Sequence, residues 1–323
     1  MKLKIAIILA VFILILTAIP FGIRHHYYSK GDFVRIEIPQ GATAGKIASI
    51  LKEQGIIQSP LWFKICTKFS GAAKLLRSGS FLLNKNMSSE EAIWRLTSDP
   101  GVELLKVVIP EGWRIEEIAQ ELLKRGIINH LGTFIDLAKQ QNLEGKLFPS
   151  TYFFGKDSPE QLVIKTMTEE YQKNIYPLIE KATTDLTEKQ ILTFASIVER
   201  EATYDDERPK IAAVYINRYK IGKRLEADPT VQYALGYIPE ENRYWKTRLL
   251  YKDLKLDNPY NTYRYNGLPP GPIANPGVKS VEAVLNPTQD FSALYFVADN
   301  TGRHIFSDTY HQHINTIKEV RSK

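Results

Sequence analysis

The chain repeats itself, and the repeat limits what its first half can fold into. Residues 34–57 read VRIEIPQGATAGKIASILKEQGII and residues 106–128 read KVVIPEGWRIEEIAQELLKRGII. At a constant offset of 71, Ile38, Pro39, Gly41, Ile47, Ala48, Leu51, Gly55, Ile56 and Ile57 recur as Ile109, Pro110, Gly112, Ile118, Ala119, Leu122, Gly126, Ile127 and Ile128. Each copy predicts a strand, a Pro–Gly turn, an amphipathic helix and a glycine at the helix stop. Neither copy shows a clear closing strand of its own.

Between the copies, Ser59–Pro60 opens a short helix through Phe69, residues 81–83 suit a strand, and Ser88 with Glu91 forms a capping box for a helix to Thr97. After the second copy come a helix near 134–141, a turn-rich stretch at 143–154 and a long helix from Ser158–Pro159 towards Lys181. A domain boundary is expected near 143–158.

Ahead of the first copy, Lys2 and Lys4 precede residues 5–23, which carry no charge. At 1.5 Å per residue such a run reaches about 28 Å, enough to cross a bilayer. A cleaved signal peptide would have a shorter apolar region and an A-x-A site, and none stands before Pro20. The expectation is an uncleaved anchor with a cytoplasmic amino terminus and the rest of the chain outside.

Composition narrows the classes. The 323 residues leave room for two or three cores. A net charge of +6, dispersed along the chain, suits an anionic polymer or lipid surface and gives no argument for nucleic acid. A single cysteine, Cys66, excludes an internal disulfide and any cysteine-based metal site. The six histidines form no HExxH pattern, so no metal and no cofactor are expected.

Chemistry concentrates at residues 187–203, TEKQILTFASIVEREAT. Thr187 and Gln190 make a capping box, so a helix starts at Glu188. Ile191, Ala195, Val198 and Ala202 fall one turn apart as an apolar stripe, with Thr193, Ser196 and Arg200 opposite. Glu199 and Glu201 flank the stripe. A carboxyl at the edge of a buried stripe keeps its proton to nearer neutral pH, as a general acid requires; a solvated helix glutamate is the competing reading. Periodicity does not choose between the two. Phe194, Ile197 and Val198 lie behind Glu201, whereas Glu199 has Ala195 and Ser196, which favours Glu201 as the drier group.

Downstream, Ile211, Val214, Tyr215 and Arg218 mark a second amphipathic helix, and Asp228–Pro229–Thr230 opens a short one to Leu235. Asp228 reads first as a helix cap and only second as a catalytic group. Residues 237–266 are rich in Tyr, Asn and Arg, a composition that suits sugar binding and equally a packed surface. Residues 267–277, GLPPGPIANPG, form a stiff, sharply turned loop able to hold a site wall. Residues 294–298 and 304–307 read as a hairpin about Asn300–Thr301–Gly302.

The succession ASIVERE, INR, RLEADPTVQYALG, YNTY, GLPPGPIANPG and LYFVAD resembles the endolytic murein transglycosylase (YceG-like) family over about residues 143–323. The repeat units resemble the LysM carbohydrate-binding module in their strand–helix opening, with a paired scaffold that binds nothing as the alternative. The resemblance implies an α+β protein: an anchor at 1–29, a LysM-like repeat region at 30–142 and a mixed α+β catalytic domain at 143–323. It implies a single-pass inner or plasma membrane enzyme that cuts nascent peptidoglycan glycan strands outside the membrane, alongside cell-wall synthesis enzymes such as penicillin-binding proteins. The family's catalytic glutamate falls on Glu201. Glu199, Asp228, Asn261, Tyr263 and Asn275 are the supporting or substrate-binding candidates. A plain glycan hydrolase and a non-enzymatic glycan-binding scaffold are the other readings.

Overall fold

The computed structural model describes residues 33–98 and 104–322. The fold is mixed α+β, and the chain divides into two compact units, residues 1–103 and 104–323. The second repeat copy therefore shares a unit with everything downstream of it.

In the first unit, β1 (Phe33–Ile38) leads into α1 (Ala44–Glu53), α2 (Pro60–Phe69), β2 (Gly79–Asn84) and α3 (Ser89–Ser98). β1 pairs antiparallel with β2, Ile36 opposite Phe81 and Val34 opposite Leu83. Alternation sends Ile36, Ile38, Phe81 and Leu83 inward. The side chain of Thr43 caps α1 by accepting the Lys46 N–H. Ile47, Ala48 and Leu51, three of the repeated positions, are its buried face. Phe63, Ala92 and Leu96 complete the core.

The second unit opens on the same plan: β3 (Leu104–Val108), α4 (Ile115–Lys124), α5 (Leu131–Gln140), β4 (Thr151–Gly155) and α6 (Glu160–Asn174). The offset of 71 survives in the strand pairing, since Leu105 faces Phe154 as Val34 faces Leu83. Each copy thus has a closing strand, contrary to the sequence reading. The strand expected at 81–83 is the first of them, and its kinship with β4 is hidden because the two share apolar character rather than identical residues. The long helix expected from Ser158 to Lys181 is two helices, α6 and α7 (Tyr176–Lys181), with Ile175 between them. Pro177 lacks the N–H that a continuous helix would need there.

The anchor expected at residues 5–23 lies outside the described residues. The localisation drawn from it, a single-pass membrane protein, is corrected: no helix among the described residues is long and apolar enough to cross a membrane.

The rest of the second unit is organised around α8 (Glu188–Glu201), which packs against α9 (Arg208–Lys220), α10 (Asp228–Leu235) and α11 (Val278–Leu285). β5 (Tyr295–Ala298) and β6 (His304–Ser307) form the expected hairpin, and α12 (Tyr310–Ser322) follows. The capping box holds: Gln190 N–H donates to the Thr187 hydroxyl and Thr187 N–H to Gln190 Oε1. The stripe is buried, and so is the side opposite it. Every residue from 191 to 198 is buried, Thr193 and Ser196 included. A helix apolar on one side but buried on all sides has to satisfy its polar side chains internally. Ser196 Oγ donates to the Thr193 carbonyl at 2.8 Å and accepts the Ile273 N–H at 3.0 Å. The side opposite the stripe is the seat of the 267–277 loop.

Candidate active site

Glu201 ends α8, and the chain returns through α9 alongside it. Tyr215, one side of α9, is 2% exposed and donates its hydroxyl proton to Glu201 Oε1 at 2.7 Å. Burial pushes the Glu201 carboxyl up to about 7; the negative charge of Asp228 adds to this, while the Tyr215 hydrogen bond, Arg200 and Arg218 oppose it. The desolvation expected of Glu201 is present.

Glu201 lines a cavity of about 320 Å³. Arg218 joins Tyr215 from α9, Glu226 and Asp228 come from the start of α10, and Tyr263 from the following loop. The far wall is the carboxyl end of the chain, with Tyr295 and Phe296 of β5 and Tyr310 and His313 of α12. Phe296 meets the Tyr215 ring edge-on at 5.7 Å. Arg218 is held by the Leu225 carbonyl at 2.6 Å and lies over the Tyr295 ring.

The acidic side of the cavity is set by the YNTY segment. Glu226 sits at φ +49, a strained conformation for a side chain of its size, and its N–H donates to the Thr262 carbonyl. Thr262 Oγ1 accepts the Ala227 N–H at 3.0 Å and meets Thr230 Oγ1 at 2.9 Å. Asn261 is fully buried and does not line this cavity: its amide donates to the Leu254 and Leu256 carbonyls, and its Oδ1 accepts the Tyr263 N–H. Tyr263 is thereby aimed, and its hydroxyl donates to Asp228 Oδ1 at 2.6 Å. Asp228 is no cap. Ala227 occupies the N-cap position, and the Asp228 carboxylate is spent on Tyr263 at the cavity mouth.

Glu199 is not the wetter glutamate. Its side chain is 6% exposed, paired with Arg208 at 3.1 Å, and accepts from Ser280 Oγ at 2.8 Å and from Gly277 N–H at 3.0 Å. That carboxylate ties α8 to α9 and to the start of α11, where the helix dipole favours negative charge. Small neighbours on its own helix say nothing about the partners brought by others.

Asn275 is likewise away from the cavity. It is fully buried, accepts the Leu147 N–H at 2.9 Å, and donates to the Trp113 carbonyl and to Glu144 Oε1. Glu144 also accepts from Ile115 N–H and the Tyr233 hydroxyl. Burial, reinforced by the charge of Glu116, pushes Glu144 up to about 8 despite Arg114 beside it. Sequence reasoning missed this second raised carboxyl, Tyr215 as the partner of Glu201, and the cavity wall from the last thirty or so residues. Only Tyr215 left a signal, because it shares the face of α9 that carries Ile211 and Arg218. Among the described residues no group of three or more His, Cys, Asp or Glu is arranged to hold a metal ion.

The model of the YceG-like family matches residues 36–319. The chain belongs to the YceG-like family. This YceG-like chain is 37% identical to a Bacillus subtilis protein named endolytic murein transglycosylase, over 88% of its own length and 84% of that relative's. It is 29% identical to a Streptococcus pneumoniae serotype 2 protein of the same name, over 90% of its own length; it spans 59% of that longer relative. Among solved structures it resembles a YceG-like protein from Listeria monocytogenes, with a TM-score of 0.58, 32% identity, and coverage of 88% of this chain and 98% of that one.

Proposed function

We propose that this chain is a lytic transglycosylase that cuts the MurNAc–GlcNAc β-1,4 bond inside peptidoglycan glycan strands and leaves a 1,6-anhydro-MurNAc end, terminating strand growth. The observation that carries the proposal is Glu201, a carboxyl held up to about 7 in the wall of a cavity lined with tyrosines. The names of the Bacillus and Streptococcus relatives support it.

The mechanism needs one carboxyl. Protonated Glu201 gives its proton to the leaving glycosidic oxygen as the anomeric C–O bond breaks. The resulting carboxylate takes the proton from the muramic acid C6 hydroxyl, whose oxygen closes on the anomeric carbon of the same sugar. Intramolecular attack has a high effective molarity, so neither water nor a carboxylate nucleophile is required. Tyr215 bonds Oε1 and leaves Oε2 for the proton traffic. The tyrosine faces suit pyranose C–H faces, and the repeat region is proposed to hold the strand. After the first copy Trp62 and Trp94 are exposed, and Thr133 and Lys165 stand at the positions 71 residues on.

Asp228 in the same cavity favours one alternative, a plain hydrolase in which a second carboxylate activates water. Mass spectrometry of purified glycan strands after incubation with the protein separates the two. The transglycosylase product is one water lighter than a reducing end. A reducing end alone would replace this proposal with the hydrolase, and intact strands would remove both.

A further inference from the structure

His313 is a member of the cavity wall whose chemistry the proposed reaction leaves unused. It stands on α12, in the wall facing Glu201's side, and its ring stacks on Tyr295 with centroids 5.2 Å apart and planes 22° apart. Tyr295 in turn carries Arg218 on its ring at 5.1 Å. The imidazole is therefore fixed in orientation by a stack that begins at a buried cation.

Its Nδ1 is covered and has no hydrogen-bond partner among the described residues. A buried polar atom without a partner calls for a reason. Covered N–H groups without acceptors are rarer than covered acceptors without donors, so the proton belongs on Nε2 and Nδ1 is left as a bare lone pair. Burial, with Arg218 close by and Glu226 opposing it weakly, holds the ring's pKa below its ordinary value, so a second proton is disfavoured. What remains is a single N–H on a rigid ring in the wall of a cavity otherwise rich in carboxylates and phenols.

We infer that His313 is a substrate-binding residue, presenting its Nε2–H to an oxygen of the sugar bound beside Glu201, with Tyr295 as the surface on which its ring is oriented. This rests on the glycan reading of the cavity and adds to it the residue that reads a hydroxyl or carbonyl of the ring next to the scissile bond. Glu201 and Asp228 are acceptors in their ionised forms, and Tyr215 and Tyr263 already donate to them. His313 supplies a donor not committed elsewhere.

The test uses the full chain carrying Glu201→Gln, which binds without cutting, and uncrosslinked peptidoglycan glycan strands of defined length as the probe. His313→Phe keeps an aromatic ring on Tyr295 and removes the donor; His313→Gln places an amide N–H near the Nε2 position. Calorimetric titration should show His313→Phe weakening binding by about three- to tenfold and His313→Gln recovering most of that loss, with all three proteins melting together. Binding by His313→Phe equal to that of the parent would sink the assignment. Equal loss in both variants with a lowered melting temperature would reduce His313 to packing and sink it too. If the Glu201→Gln parent fails to bind and the unmodified chain fails to cut, the glycan reading itself is wrong and the His313 assignment goes with it.

Discussion

The Tyr215 hydroxyl donates to Oε1 of Glu201 at 2.7 Å, joining the last turn of α8 to the middle of α9. A donor to a carboxylate favours its charged form, so this bond pulls Glu201 down while burial and Asp228 push it up. A general acid must be protonated to act, so activity should fall as pH rises through about 7. Tyr215→Phe should move that alkaline limb upward and Asp228→Asn should move it downward, each on the order of one pH unit. The kcat/KM profiles of the two variants check this; movement in the same direction would contradict the assigned causes.

Glu201→Gln and Glu199→Gln should fail in different ways. The first keeps the fold and loses at least about 10²–10⁴ in turnover, the usual contribution of general acid–base catalysis. The second leaves the buried Arg208 guanidinium without its 3.1 Å partner, and breaking a buried pair costs about 3 kcal/mol. Thermal unfolding beside a turnover assay separates them. A Glu199→Gln protein that melts with the parent yet has lost all turnover would transfer the acid role to Glu199.

Stability should fall as pH rises across the window from about 4.5 to 8. Glu201 at about 7 and Glu144 at about 8 hold protons in the folded state that an unfolded glutamate, with its ordinary 4.5, has released. The folded state binds more protons there, so raising the pH favours unfolding. Glu201→Gln should flatten part of this slope and at pH 8 be the more stable protein, by at most about 3 kcal/mol. Urea melts at pH 5 and pH 8 decide it, and a parent that gains stability across the window would refute the linkage.

Gly145→Ala should destabilise without touching the cavity. Gly145 has φ +86, and an added Cβ would come within 2.9 Å of the Pro272 ring, part of the stiff 267–277 loop that cannot yield. Left-handed backbone and overpacking together cost roughly 2 kcal/mol. Gly222→Ala is the control, with φ +68 and nothing within 4 Å of the new atom. A smaller drop in melting temperature at 145 than at 222 would show that the loop moves.

What could be read from the sequence was local. The α8 cap, the helix itself, the β5–β6 hairpin and the strand–helix openings of both repeats follow from spacing and turn residues. The desolvation of Glu201 also followed, because Phe194, Ile197 and Val198 are on its own helix. The surroundings of Glu199 did not, since Arg208, Ser280 and Gly277 arrive from elsewhere in the chain. Asn261 and Asn275 stand out by their motifs, but both are buried and bond backbone groups and, for Asn275, Glu144 as well, which no pattern of residue types distinguishes from contact with a ligand. Asp228 misled for the opposite reason: Asp before Pro is a sound capping signal, and only the Tyr263 hydroxyl 35 positions away shows the carboxylate turned to other use.

The cavity wall opposite Glu201 is made of residues that come late in the sequence. A ribosome delivers α8 and α9 long before β5 and α12, so in the interval Glu201 and Tyr215 lack Tyr295, Phe296, Tyr310 and His313 in front of them. Without them the glutamate is more open to water, and the burial that raises its pKa is incomplete. A nick in the turn about Asn300 would disturb this wall and, through Phe296 and Phe306, the edge of the α8 core as well. The acid is thus armed by side chains that stand about a hundred positions further along the chain.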